Sequence, residues 1–202
     1  MSNLISKIDA LLPQTQCTKC GYKDCYEYAN AINNGEKHNR CPPGGDDVIT
    51  KLSALLNRPI LPLDKNCGSY EKKKVAVINE SLCIGCTKCT LACPVDAIIG
   101  AKQKMHSVIE NSCTGCNLCV IPCPMDCIEM VDLKFEKQPE NLTTTSREIQ
   151  KNHYRTAHIA RKVRLKNKVK KQEQKHNKSI NKKAYIAEAL RVFKEKKQQL
   201  RG

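Results

Sequence analysis

Residues 83–94 read CIGCTKCTLACP, and residues 113–124 repeat the same spacing as CTGCNLCVIPCP. Each stretch places three cysteines within seven residues, then a fourth cysteine that is followed at once by proline. Three thiols so close in sequence can face one centre only where the backbone curls around it. The glycine at the third position of each stretch permits that turn. This spacing predicts iron atoms held by cysteine thiolates.

The C-x2-C-x2-C-x3-C-P spacing is that of bacterial ferredoxins with two [4Fe–4S] clusters, in which the fourth cysteine of each stretch binds the other cluster. We therefore expect two interlocked clusters. The predicted ligands are Cys83, Cys86, Cys89 and Cys123 for one cluster, and Cys113, Cys116, Cys119 and Cys93 for the other. The alternative is a pair of zinc sites, but structural zinc usually takes pairs of ligands that a longer loop separates.

The repeat extends beyond the cysteines, because residues 83–98 and 113–128 share eight of sixteen positions. Short β-branched runs that read as small strands flank each stretch. They occupy residues 75–78, 97–100, 106–109 and 128–131. The pattern predicts a ferredoxin-like α+β unit with pseudo-two-fold symmetry, in which the clusters supply much of the cohesion.

A third group of cysteines near the N-terminus has the spacing C-x2-C-x4-C-x15-C. It consists of Cys17, Cys20, Cys25 and Cys41. The spacing is looser than that of a ferredoxin stretch and, taken alone, also fits zinc. Residues 26–33 read as a helix that ends near Gly35, which would return Cys41 toward the other three cysteines.

The three cysteine groups, in this order, resemble the B subunit of the Rnf/Rsx-type ion-translocating electron transport complex. The resemblance runs from about Ile8 to Met130 and includes LPQTQCTKCGYKDC at 12–25, GEKHNRCPPGG at 35–45, PVDAI at 94–98 and MH at 105–106. It implies three [4Fe–4S] clusters, the third on the N-terminal cysteines. It also implies electron transfer between a ferredoxin or NADH-linked partner and membrane-bound redox subunits, as a carrier rather than an enzyme on its own.

The N-terminus departs from that family, whose B subunit usually begins with a membrane-spanning helix. No apolar run here approaches the ~20 residues that a span requires, and residues 1–16 lack the features of a secretory signal. A helical stripe is present instead, at Leu4, Ile5, Ile8, Leu11 and Leu12, and it predicts a short helix packed on the protein core. We expect a cytoplasmic protein, free or peripheral on the cytoplasmic face of the inner membrane.

Two of the fourteen cysteines are predicted not to be ligands. Cys67 lies in a linker without an evident partner, and Cys127 takes the place of Ala97 in the repeat. His106 is expected to have a surface or packing role, because each cluster already has four cysteines. Asp47 is expected to cap a short helix in the connector that follows the first cysteine group.

The charge is concentrated at one end of the chain. Residues 1–146 contain sixteen Lys and Arg against sixteen Asp and Glu, whereas residues 147–202 contain nineteen against four. Residues 147–172 and 182–200 read as two helices separated near residue 179, the second with Ile186, Leu190 and Phe193 at helical spacing. Such a tail either docks to an acidic protein, a membrane surface or nucleic acid, or is merely solvated. Its few aromatic residues argue against nucleic acid.

The predicted fold class is α+β in three parts. These are a helical four-cysteine domain at 1–65, a two-cluster ferredoxin-like domain at 66–135, and a linker with a basic, partly disordered helical tail at 136–202. The leading function is an electron-transfer subunit of an Rnf-like oxidoreductase that exchanges electrons with other redox proteins. The alternatives are a stand-alone soluble polyferredoxin that serves cytosolic reductases, and an iron–sulfur protein that binds nucleic acid. Phosphate-binding loops of the GxGxxG or GxxxxGK type are missing, so no direct nucleotide cofactor is predicted.

Overall fold

The computed structural model describes residues 2–134 and 137–199, and it mixes helices with two small antiparallel sheets. The α+β prediction is therefore confirmed. The helices are α1 (Ser2–Leu11), α2 (Cys25–Asn33), α3 (Gly45–Leu56), α4 (Lys88–Ala92) and α5 (Thr144–Gln199). The strands are β1 (Lys74–Ile78), β2 (Ile98–Ile99), β3 (Ser107–Val108) and β4 (Ile128–Asp132).

The helical module, defined here as residues 2–68, is built on the packing of α1 against α2 and α3. Ile8 and Leu12 from the N-terminal stripe are fully buried and contact a core that includes Ile32 and Leu52. Removing such side chains from water is the main favourable contribution to folding of this module. The prediction that α1 packs on the protein's own core is confirmed.

The ends of α2 and α3 follow from local hydrogen bonds. Asp24 caps α2, since its Oδ1 accepts a hydrogen bond from the backbone N of Glu27 at 2.7 Å. The prediction that Asp47 caps α3 is wrong, because α3 begins at Gly45 and Asp47 lies in its first turn. A 3-10 turn at Pro42–Gly44 leads directly into α3, and the early start places the Asp47 carboxylate near the positive end of the helix dipole.

The sheet module, residues 69–134, contains the two cysteine stretches. β1 pairs with β4 in the register Lys74↔Asp132 to Ile78↔Ile128, and β2 pairs with β3 with Ile98 opposite Val108. Each pair joins a strand beside one stretch to a strand beside the other, which is the predicted pseudo-two-fold arrangement. All four strands form where the β-branched runs predicted them.

The chain divides into two units, residues 1–159 and 160–202. The first unit includes the start of α5, where Tyr154 is buried and Ala157 packs on the core of the sheet module. In the second unit the described apolar side chains are about half exposed, at Val163, Val169, Ile186 and Leu190.

The predicted break near residue 179 is wrong, because α5 continues through it and also begins three residues earlier than expected. The segment contains neither Pro nor internal Gly, so nothing in its backbone interrupts the helix. The side chain of Phe193 and residue 200 lie outside the described residues. In the part of the chain that the structure describes, no helix is both long enough and apolar enough to span a bilayer.

Candidate metal centres

Three cavities are each lined by four of the cysteines that the sequence grouped together. Site A, of about 290 Å³, is lined by Cys17, Cys20, Cys25 and Cys41. Site B, of about 270 Å³, is lined by Cys83, Cys86, Cys89 and Cys123. Site C, of about 280 Å³, is lined by Cys93, Cys113, Cys116 and Cys119. The fourth cysteine of each stretch thus crosses to the cavity of the other stretch.

The backbone of each cysteine stretch bends at its glycine. Gly85 and Gly115 have φ of +69° and +72°. A Cβ on Gly85 would lie 2.5 Å from the backbone N of Lys104, and one on Gly115 would lie 2.5 Å from the carbonyl of Lys74. The turns therefore require glycine for their close approach to a neighbouring chain segment as well as for their conformation.

Several thiols of sites A and C are buried enough to resist ionisation. Burial raises the pKa of Cys25 and Cys41 in site A, and in site C it raises the pKa of Cys116 to about 11 and that of Cys119 to about 12. Four buried thiolates need a compensating positive charge, which coordinated iron would supply.

The donor sets fit a cluster held by cysteine alone. Thiolate sulfur is the ligand that iron–sulfur clusters and structural zinc both use. Within residues 2–134 and 137–199, no three His, Cys, Asp or Glu side chains converge as tightly as a single metal ion needs. The arrangement in each site is a cavity ringed by four thiols rather than a point between them.

Site B contains a fifth thiol, that of Cys127, whose Sγ lies 3.4 Å from the Sγ of Cys123. Burial and this contact raise the pKa of Cys127 to about 12. Burial also tends to raise the pKa of Cys123, but the backbone N–H groups of Cys127 and Met125 outweigh it and lower that pKa. Of the two, Cys123 therefore loses its proton more readily than Cys127.

His106 also lines site B. Its ring is buried, and Nδ1 lies 3.5 Å from the Sγ of Cys83. The surface role considered for His106 is wrong, and the packing role is correct. Gly100, which directly follows β2, leaves room for this ring. A glycine beside a predicted strand is the sequence signal that could have indicated such a close approach.

Site A has polar neighbours that the sequence did not single out. The Oε1 of Gln16 accepts a hydrogen bond from the backbone N of Cys25 at 2.9 Å, and the Nε2 of Gln16 donates to Gln14 at 2.9 Å. Gln14 in turn donates to Asp9 of α1. Cys67, expected to have no partner, contacts the Arg40 guanidinium and raises its pKa. The 3-10 turn at Lys65–Cys67 brings Cys67 to this contact, and its prediction as a non-ligand stays a prediction.

Site C has a buried lysine–tyrosine pair beside it. The hydroxyl of Tyr154 donates a hydrogen bond to the carbonyl of Cys113 at 3.2 Å, and the ammonium of Lys73 contacts the same hydroxyl. Burial lowers the pKa of Lys73 to about 8, although the Cys113 thiol opposes this shift. The spacing of the cysteines gives no indication that Lys73 and Tyr154 lie beside site C.

Two families described by iron–sulfur clusters match the segments that contain these cysteines. Residues 76–130 match the 4Fe–4S dicluster domain, and residues 12–43 match a family described as a putative Fe–S cluster. The B subunit of the ion-translocating oxidoreductase complex is 57% identical to this chain over 104 residues in Hahella chejuensis and 57% over 105 residues in Alcanivorax borkumensis. The same subunit from an Azoarcus species is 56% identical over 105 residues.

About half of this chain is homologous to those B subunits. The aligned part is 52% of this chain in all three cases, and it is 53%, 54% and 57% of the respective relatives. The chain therefore spans about half the length of the curated relatives that it matches. The resemblance to the B subunit is confirmed, and residues 76–130, which match the dicluster domain, contain the cysteines of sites B and C.

Proposed function

We propose that this protein is an electron-transfer subunit of an Rnf-type oxidoreductase complex and that it holds three [4Fe–4S] clusters. The observation that supports the proposal most directly is the set of three cavities, each lined by four cysteines that the sequence grouped together. The dicluster match accounts for sites B and C, and the Fe–S match over residues 12–43 includes all four cysteines of site A. The relatives carry the name of a subunit in an ion-translocating complex.

Each cluster would supply a one-electron couple whose potential depends on hydrogen bonds and solvent exposure. The residues of the chain set that environment. In site C, the backbone N of Ala97 donates to the Sγ of Cys93 at 3.2 Å. In site B, His106 and Cys127 contribute the side-chain contacts described above. The proposed partners are the redox subunits of the same complex, which exchange electrons with these sites.

Iron and acid-labile sulfide analysis of anaerobically purified protein tests the cluster count. We expect about twelve of each per chain, as three [4Fe–4S] clusters require, and a paramagnetic signal on reduction. A Cys41→Ala variant should lose about four of each and keep the rest. Cys67→Ala is the matched control and should retain the full content. Protein that holds only zinc, or a Cys41→Ala variant with unchanged iron, would contradict the proposal.

Association with a complex is tested separately from cluster content. Affinity purification of the full chain from gently solubilised membranes should recover other redox subunits together with it. The basic tail is the proposed attachment segment, since electrostatic attraction to an acidic protein or anionic membrane surface adds about 1 kcal/mol per Lys or Arg near that surface. Recovery of the subunits should then fall as salt rises. Recovery of the iron-loaded protein without any redox subunit would leave a stand-alone polyferredoxin as the better description.

A further inference from the structure

The first four turns of α5 contact both the helical module and the sheet module. Three side chains on these turns, Tyr154, Arg155 and His158, make the connections. Tyr154 and His158 are four residues apart and share one face of the helix, and Arg155 lies beside them. All of these contacts lie within residues 1–159, the first of the two units.

His158 reaches a neighbour of a cysteine in each module. Its Nδ1 lies 2.8 Å from the carbonyl of Pro94, which follows Cys93 of site C. Its Nε2 lies 3.4 Å from the Oδ2 of Asp24, which precedes Cys25 of site A. Both partners, a carbonyl and a carboxylate, are hydrogen-bond acceptors. One ring therefore spans the gap between the two cysteine sites.

Arg155 connects the same helix to site A by a second route. Its Nε donates to the Oδ2 of Asp9 at 2.8 Å, and its Nη2 donates to the carbonyl of Asp9 at 3.0 Å. Asp9 is buried in α1 and also accepts the amide of Gln14, which continues through Gln16 to the backbone N of Cys25. The guanidinium is therefore joined to a site A cysteine by a continuous series of hydrogen bonds.

Tyr154 holds the helix against site C. Its side chain is 2% exposed, and its hydroxyl donates to the carbonyl of Cys113. Ala157, on the same face, packs on the core of the sheet module. The helix is thus held to site C by apolar burial and by hydrogen bonds, and to site A by the side chains of Arg155 and His158.

We infer that residues 144–159 act as a strap that positions site A beside site C, with Arg155 and His158 as its positioning residues. The inference rests on the proposed function, because its consequence is a fixed path for electrons between these two sites. One electron that passes between them oxidises one cluster and reduces the other by one unit, with no bond made or broken. The external donor or acceptor is a one-electron redox protein. Site C, which interlocks with site B, is then the middle site of the three.

The test uses the full-length holoprotein and the double variant Arg155→Ala/His158→Ala. We expect unchanged iron content, amide exchange in α1 about tenfold faster than in the unmodified protein, and weaker magnetic coupling between the reduced clusters of sites A and C. The coupling between sites B and C should not change. The control is Glu148→Ala/Lys151→Ala, which removes an ion pair within the same helix and should alter none of these quantities.

The outcomes separate the strap from the cluster proposal. A double variant that keeps its iron and behaves like the control would overturn the strap and leave the proposed function intact. A full-length protein without iron–sulfur clusters would instead contradict the proposed function. If the double variant loses iron on purification, Arg155→Lys carries the same comparison, because it keeps the charge but replaces the two guanidinium nitrogens that bind Asp9 with a single ammonium nitrogen. Unchanged α1 exchange and unchanged coupling in that variant would also overturn the strap.

Discussion

The Gly100→Ala variant tests whether His106 tunes site B. Gly100 lies at the end of β2, and a Cβ there would fall 1.9 Å from the Cδ2 and 2.7 Å from the Cγ of His106. Carbon atoms in contact normally stand about 3.5–4.0 Å apart. The ring must therefore retreat by roughly 1.5 Å, and this would take Nδ1 out of hydrogen-bond reach of the Cys83 sulfur.

Two effects of this change can be estimated. Overpacking of this kind costs typically about 1–3 kcal/mol in the free energy of unfolding. A donor to a ligating sulfur stabilises the reduced, more negative cluster more than the oxidised one. If the lost contact favours the reduced form by about 1.4 kcal/mol, the midpoint potential of site B falls by about 59 mV, the equivalent for a one-electron couple.

Thermal unfolding measures the change in stability. A potentiometric titration monitored by electron paramagnetic resonance measures the change in the midpoint potential. The matched control is Gly35→Ala, because Gly35 also has a positive φ, +104°, but a Cβ there would meet nothing within 4 Å. Gly35→Ala should show backbone strain without a change in potential. If both variants lower stability equally and neither shifts a potential, His106 has no role in tuning site B.

Three further predictions concern individual contacts and the thiols. Asp24→Ala should lower the free energy of unfolding by about 1 kcal/mol through loss of the α2 cap, measured by denaturation against Lys23→Ala; equal stability of the two variants would contradict the assignment of the cap. Cys127→Ala should keep the full iron content but lower the potential of site B, and a loss of iron would instead make Cys127 a ligand. Reconstitution of apoprotein should become more favourable as the pH rises toward the raised thiol pKa values, because each thiol must lose a proton to bind iron; isothermal titration in buffers of different pH should show proton release, and pH-independent affinity would refute it. Without iron, the raised pKa values of Cys116 and Cys119, about 11 and 12, imply that the fold loses stability as the pH climbs above the ordinary value of 9.

The cysteine spacing predicted more of the protein than any other feature. Three cysteines within seven residues constrain the backbone so tightly that the turns at Gly85 and Gly115 and the crossing of Cys93 and Cys123 follow almost from sequence alone. The strands were predictable for a related reason, since short β-branched runs beside such turns have few other ways to pair. The same reasoning grouped the twelve cysteines as the three cavities group them.

The contacts that sequence reasoning missed are all distant in the chain. Tyr154 and Cys113 are 41 residues apart, and Arg155 and Asp9 are 146 apart. No local pattern encodes a pairing across such a separation. The high net positive charge of residues 147–202 predicts only a basic tail. It gives no indication of the few side chains near the start of α5 that pack on the rest of the protein. The continuity of α5 was missed because a polar, Asn-containing segment is a weak signal for a helix end when Gly and Pro are absent.

The pairing of β1 with β4 brings the two ends of the sheet module together, with Lys74 directly opposite Asp132. The polypeptide thus enters and leaves this module at one edge. Domains whose two ends lie close together tolerate insertion into a surface loop of another protein. The segments that precede and follow the module are therefore attached to it at neighbouring points, whatever the length of each segment. Extra segments can accordingly be added at either terminus over evolutionary time without disturbing the cysteine repeat.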